Sequence, residues 1–222
     1  MNHKITALTV QKRNRQRINV YLDGEFAFGL ARITAAWLQV GQEISDEKIA
    51  QLLGEDEREV AYQRALKFLG YRPRTEREIN DKLREHGFAD PIIEYVLGRL
   101  QRSGLVDDEQ FAKTWVENRN EYRPRSRRAL SYELRQRGID NEVIDETLED
   151  FDDEEMAYQA ALQKVRKLKN LEWQEFRQKM YAFLARRGFN YEASAQAVAR
   201  VWAEQQSDQS NENYVSHEEV DE

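Results

Sequence analysis

The chain contains no cysteine, which excludes disulfides and thiolate metal sites. Histidine is nearly absent as well. His3 and His217 lie near the termini, and His86 sits in a helix-ending turn that suits a cation. No metal-ligand spacing and no nucleophile–base signature can be assembled from them. Gly24 and Gly29, in LDGEFAFGL, belong to a hairpin and not to a phosphate loop. Asp107-Asp108 reads as a helix start, with Asp at the N-cap and N1, and not as a metal or acid/base pair. No cofactor and no enzymatic activity are expected. No apolar run approaches the ~20 residues of a membrane span. Residues 1–10 lack the apolar core of a secretory signal. A soluble, cytoplasmic protein without membrane contact is the expectation.

The bulk composition points to a thin body. Of the 222 residues, 40% are hydrophobic and 34% charged, and the mean hydropathy is -0.87. So polar a chain cannot easily fill one large spherical core, and a helix-rich, elongated body fits better. The formal charge of -7 argues at first against a polyanion partner. The acidic excess, however, is local. Residues 205–222 carry Asp208, Glu212, Glu218, Glu219, Asp221 and Glu222 with no Lys or Arg. Without these six carboxylates the body sits near -1. The segment is rich in Ser, Asn and Gln, and is expected to be a disordered tail.

The N-terminal part differs from the rest. Residues 5–10 (ITALTV), 18–22 (INVYL) and 25–30 (EFAFGL) read as three antiparallel strands. Asp23-Gly24 supplies the positive φ of a tight hairpin. A short helix near residues 31–38 follows, then a helix capped by Ser45 and running to about Leu53.

From Glu55 onward the chain is helical and repeats itself. LREHGF (83–88), LRQRGI (134–139) and LARRGF (184–189) recur about 50 residues apart. In each, Gly supplies the left-handed residue that ends a helix, and the apolar residue after it folds back on the last turn. Asp90, Asp140 and Asn190 are then expected to cap the next helix. EVAYQRAL (59–66) matches EMAYQAAL (155–162), and YRPRT (71–75) matches YRPRS (122–126). Thr75 and Glu78 are expected to form a capping box. Helical apolar spacing gives each repeat a small core, including Ala61, Ala65, Phe68 and Leu69 in the first. Phe111, Trp115, Leu130, Leu134, Ile144 and Leu148 fill the second, and Phe176, Met180, Leu184, Val198, Val201 and Trp202 the third. The organisation is therefore a β-rich extension with short helices (1–54), three three-helix repeats (55–106, 107–152 and 153–204) and an acidic tail (205–222).

One constellation is basic. Arg119, Arg123, Arg125, Arg127, Arg128, Arg135 and Arg137 crowd a loop and the following helix, opposed only by Glu121 and Glu133. Arginine grips carboxylate or phosphate with two parallel hydrogen bonds, which favours partner binding over a merely solvated face. Arg72, Arg74, Arg77 and Arg84 are the counterparts in the first repeat, and the two sets are expected to form one edge. The β-rich extension offers a second basic group in Lys12, Arg13, Arg15 and Arg17.

GLVDDEQFA (104–112), together with RPRSRRALSYELRQRGID (123–140), resembles the RecX family of recombination regulators. The likeness covers roughly residues 55–204, and the N-terminal strands are similar to an extension found in some members of that family. The resemblance implies three tandem three-helix repeats in a curved, elongated array. It also implies binding to RecA and to the groove of the RecA–single-stranded DNA filament, with contact to successive protomers. Suppressed ATPase activity and strand exchange, and limited filament extension, would follow. A monomer is expected, with the Arg edge meeting acidic RecA surface or DNA phosphate. Weak direct binding to DNA is a further expectation, and a nucleic-acid-binding helical repeat or a general scaffold are the competing readings.

Overall fold

The computed structural model describes residues 1–168 and 171–218, with side chains through residue 207. It divides into two compact units, Met1–Asp107 and Asp108–Glu222.

The first unit begins with strands β1 (Asn2–Val10), β2 (Arg17–Leu22), β3 (Glu25–Ala31) and β4 (Glu43–Ser45), with a 3-10 turn at Thr34–Trp37. The sheet order is β3-β2-β1-β4, antiparallel throughout. Asp23 and Gly24 take φ of 51° and 96°, as the hairpin between β2 and β3 requires. The three expected strands are present; β4, only three residues long, carries too short a pattern to be read from sequence. The expected helix near 31–38 is confined to the 3-10 turn. Ile5, Val20, Leu30, Ala35, Leu38, Ile44 and Leu52 close the sheet's apolar face.

Helix α1 (Asp46–Leu69) starts under a Ser45 cap, whose Oγ accepts from Lys48 N–H at 3.3 Å. It corrects the boundary placed at residue 54, because the helix that covers the sheet is also the first helix of repeat one. Gly54 does not break it, since a mid-helix glycine costs only about 1 kcal/mol against alanine. Buried Asp56 fastens the two parts together. Its carboxylate accepts from Arg17 at 2.9 Å and from the Ala31 N–H. Helices α2 (Glu76–Glu85) and α3 (Asp90–Arg102) complete the repeat around Ala61, Ala65, Ile79, Leu83, Ile93, Val96 and Leu100.

The second unit holds α4 (Asp108–Tyr122), α5 (Arg127–Gln136) and α6 (Asn141–Thr147), then α7 (Asp153–Val165), α8 (Trp173–Arg186) and α9 (Tyr191–Glu218). Repeat two is cored by Ala112, Val116, Leu130, Leu134, Ile144 and Leu148. Phe111 and Trp115 flank that core and are only partly buried. Repeat three buries Phe176, Met180, Leu184, Val198 and Val201 completely or nearly so, each contributing about 1.5–3 kcal/mol. The fold is thus mainly α, with three three-helix repeats and a small antiparallel sheet.

Gly87, Gly138 and Gly188 end α2, α5 and α8 with φ of 83°, 85° and 93°. After each, the next N–H reaches back five residues: Phe88 to Leu83 at 3.3 Å, Ile139 to Leu134 at 3.2 Å and Phe189 to Leu184 at 3.3 Å. The expected caps that follow are realised once. Asn190 Oδ1 accepts from Ala193 N–H at 2.8 Å. Asp140 holds the N-cap position without a side-chain bond. Asp90 lies one residue inside α3 and pairs instead with Arg84 at 2.9 Å, so Ala89 is the N-cap. Thr75 does cap α2, accepting from Glu78 N–H at 3.2 Å.

The matched EVAYQ and EMAYQ segments build the same device in repeats one and three. Glu59 accepts from Arg99 at 2.8 Å, and Arg99 lies 3.6 Å over the Tyr62 ring. Glu155 pairs with Arg200 at 3.4 Å, and Arg200 lies 3.5 Å over the Tyr158 ring. Gln63 and Gln159 donate to the two glutamates at 2.8 and 2.7 Å. This resemblance is therefore structural: it locks the third helix of the repeat onto the first.

Helix α9 overturns the disordered tail expected from residue 205. It runs to Glu218, and Gln205 is itself buried. The physical reason is propagation. No Gly or Pro follows Tyr191, and extending a helix already anchored by Val198 and Val201 needs no new nucleus. Residues 219–222 of the expected tail lie outside the described residues.

Candidate functional site

The loop that opens the second helix of each repeat presents the predicted arginines. In repeat two, Tyr122 ends α4, Pro124 is buried in the turn, and Ser126 caps α5 by accepting from Ala129 N–H at 3.2 Å. Among the described α-helices every other one carries a carboxylate in its first turn; α5 carries none and opens on Arg127 and Arg128. Cations there oppose the helix dipole, whose N-terminal end is itself positive. One carboxylate from the neighbouring repeat offsets this, as Asp153 accepts from the Arg127 N–H at 2.6 Å.

Repeat three adds a further cation. The Ser126 N–H donates to the Arg187 carbonyl at 3.2 Å, and the Arg187 guanidinium donates to the Pro124 carbonyl at 2.9 Å. Arg187 also stacks on Phe183 at 4.5 Å. Burial, and then the positive charges of Arg125 and Arg123, push its pKa below the ordinary arginine value. Like charges are therefore held together at the junction of repeats two and three.

The predicted residues divide into two groups. Arg119 and Arg125 are braced by one carboxylate, Glu133, at 2.8 and 3.0 Å, while the Trp115 indole N–H donates to the same group at 2.9 Å. Arg137 stacks over Trp115 at 3.9 Å, and Arg135 donates to Asn141 at 2.8 Å. Arg127 reaches the Glu149 carbonyl at 3.5 Å. Arg123 and Arg128 are exposed, with no ion pair among the described residues. In repeat one the counterparts are tied to that repeat's own acids. Arg72 pairs with Glu78 at 2.7 Å, and Arg74 with the same residue at 3.9 Å. Arg77 meets Asp81 at 4.0 Å, and Arg84 meets Asp90. The arginines of this junction that no acid pairs among the described residues are Arg123, Arg127, Arg128 and Arg187.

Sequence reasoning missed two features. Arg187 was visible as the residue before the third turn glycine, but nothing in the linear pattern brings it to Pro124. Tyr71 and Tyr122, at matched positions of the YRPR segments, are 74% and 66% exposed. Neither packs in a core, and large exposed aromatics beside arginine are typical anchors of a binding face. No group of three or more His, Cys, Asp or Glu that could hold a metal ion occurs among the described residues. None of the described helices is long and apolar enough to cross a membrane.

Family models match almost the whole described body: the RecX N-terminal domain at residues 3–45, and the first, second and third RecX three-helix domains at 61–100, 107–148 and 152–198. The chain belongs to the RecX family. The regulatory protein RecX of Bacillus subtilis is 31% identical over 221 residues, covering 97% of this chain and 83% of the relative. That of Clostridium perfringens strain SM101 is 32% identical over 205 residues, covering 89% and 96%. A crystal structure of regulatory protein RecX superposes with a TM-score of 0.68 at 30% identity, over 88% of this chain and 98% of that one. RecX from Lactobacillus salivarius shares the fold, with a TM-score of 0.57 at 21% identity over 66% of this chain and 97% of that one. The likeness is wider than residues 55–204, because the N-terminal sheet is itself a RecX domain. As a member of this family the chain is a regulatory protein and not an enzyme.

Proposed function

We propose that this RecX-family chain binds the RecA recombinase filament on single-stranded DNA, inhibits its ATPase activity and strand exchange, and limits filament extension. It acts in the cytoplasm, as a monomer, in the control of DNA repair and recombination. Family membership supports the RecA connection, and the repeat architecture supports the mode of contact. Similar modules in tandem along one chain can touch successive identical subunits, and linked weak contacts gain affinity without any strong single site. The observation that carries the reading is the cationic junction of repeats two and three. Among the described residues Arg123 and Arg128 have no ion pair, α5 opens on two arginines, and Arg187 is held beside Arg123 and Arg125 against their mutual repulsion. Such an arrangement costs stability in the free protein and is relieved by an anionic partner, either acidic RecA surface or filament phosphate. A ligand that prefers one filament pitch shifts the filament toward it by its differential affinity, which is how binding would stop extension.

Cosedimentation with RecA–single-stranded DNA filaments tests this. The wild-type chain should pellet with filaments, and an Arg123→Glu/Arg128→Glu variant should remain largely in the supernatant with an unchanged helical circular-dichroism spectrum. Equal pelleting of the two proteins would remove the arginine junction from the account.

A further inference from the structure

The N-terminal domain has a basic end that the RecA reading does not use. Lys12, Arg13 and Arg15 lie in the β1–β2 connection, all exposed. The Arg32 N–H donates to the Gln16 carbonyl at 2.8 Å, which brings Arg32, also exposed, to the same end of the sheet. Among the described residues none of these four cations has an ion pair. The acids of the hairpin, Asp23 and Glu25, sit at the opposite end of the ladder, Glu25 in the terminal Leu22↔Glu25 pair and Asp23 in the turn beyond it. The nearby carboxylates of α1 are already satisfied, Asp56 by Arg17 and Glu59 by Arg99.

An open groove of about 630 Å³ runs beside this end, lined by Gln16, Arg17, Arg32 and Ile33 on one side and Val60 and Gln63 of α1 on the other. Close by in the chain, Trp37 is 86% exposed and Ile33 63% exposed. Neither helps close the sheet's apolar face, which Ala35 and Leu38 cover instead. Amide side chains and four cations without an ion pair among the described residues suit a phosphodiester backbone, and the exposed indole, five residues on from Arg32 in the chain, offers a face for an unstacked base. Acidic protein surface would need the cations but not the exposed indole.

We infer that the basic end of the N-terminal sheet is a single-stranded nucleic-acid contact, in which Lys12, Arg13, Arg15 and Arg32 hold phosphates and Trp37 stacks a base. Unpaired bases are required because the indole offers a π-face that a duplex cannot reach. The contact is independent of the arginine junction of repeats two and three and is measured without recombinase.

Fluorescence anisotropy of a labelled oligothymidylate, titrated with the full chain across a salt series, tests the inference. Four phosphate contacts give a slope of log affinity against log salt of about -3. Lys12→Glu/Arg13→Glu/Arg15→Glu should weaken binding by about tenfold or more and flatten the slope by about two. Trp37→Ala, at a position too exposed to affect folding, should weaken binding by about tenfold with the slope unchanged. A wild-type chain that fails to bind at low salt, or a triple reversal with unaltered affinity and slope, overturns the inference. A silent Trp37→Ala, or equal affinity for a blunt duplex, overturns the single-stranded assignment. None of these outcomes bears on cosedimentation with RecA filaments, so the two readings fail separately.

Discussion

Gly188 stands against Ser126: a Cβ placed on the glycine would lie 2.6 Å from the serine Oγ and 2.9 Å from the Ala129 Cβ. The turn that ends α8 therefore packs directly on the start of α5, and the Ser126 N–H, which precedes α5, is satisfied by the Arg187 carbonyl. Gly87, at the matched turn of repeat one, has the same positive φ but open space around it. Gly87→Ala should cost about 1 kcal/mol, the strain of a left-handed alanine. Gly188→Ala adds an overlap of about 1–3 kcal/mol and should also loosen the arginine junction. Urea unfolding of the two variants gives the comparison, and equal losses would show that repeat three does not lean on α5 through this glycine.

Glu133 is the brace of the arginine cluster, holding Arg119, Arg125 and the Trp115 indole together. Glu133→Ala should destabilise the chain by about 2 kcal/mol, since two partly buried cations and one indole N–H lose their acceptor. Glu133→Gln keeps the indole bond and should cost less. Thermal unfolding orders the two variants, and an alanine variant as stable as the wild type would mean that the cluster holds itself by stacking alone.

Repeats one and three carry the same Glu–Arg–Tyr device at different exposure. Arg99 pairs with a Glu59 that is largely shielded, whereas Arg200 and Glu155 are both about half in water. An exposed ion pair contributes about 0–1 kcal/mol, and a sheltered one stacked on an aromatic face contributes more. Arg99→Ala should therefore cost about 2 kcal/mol and Arg200→Ala less than about 1 kcal/mol. The reverse order in chemical denaturation would show that exposure does not govern these pairs.

The sheet carries a pH-dependent tie. His3 Nδ1 lies 2.7 Å from Asp23, and Nε2 lies 3.2 Å from Asp46. The hydrogen bond to Asp23, and behind it the one to Asp46, raises the His3 pKa above its ordinary value despite opposing desolvation. A raised histidine pKa contributes stability that is full below about 6.5, the ordinary value, and is lost as pH rises through the folded one. Asp23 is shifted down, first by the Lys4 N–H and then by His3, so its contribution is lost as pH falls below the ordinary carboxylate range. Protection factors of the β1 amides, exchange rates corrected for their intrinsic pH dependence, should be highest on the acid side of neutrality, between these limits. His3→Gln should flatten the alkaline limb, and an unchanged limb would assign it to another group.

Much of this architecture was legible in the sequence, because the signals that carried it were local. Gly87, Gly138 and Gly188 each close a helix within six residues, and Asp23-Gly24 closes a hairpin within four. What failed to show depended on contacts distant in the chain. The join of α1 across residue 54 is enforced by Asp56 reaching Arg17 and Ala31, and no helical period announces it. The caps at Asp90 and Asp140 looked identical to Asn190, yet Asp90 is drawn off by Arg84. The arginine constellation was visible as composition, but its division was not. Arg72 and Arg74 are neutralised by a glutamate that is near in sequence, whereas Arg123 gains a like-charged neighbour, Arg187, from the next repeat.

The most direct measurement is the steady-state rate of ATP hydrolysis by RecA on single-stranded DNA, titrated with the wild-type chain and with the Arg123→Glu/Arg128→Glu variant. The wild type should suppress the rate progressively, and the variant should need at least about tenfold more protein for the same effect, the loss of one or two charge-assisted contacts. Full-strength inhibition by the variant, or none by the wild type, would contradict the account.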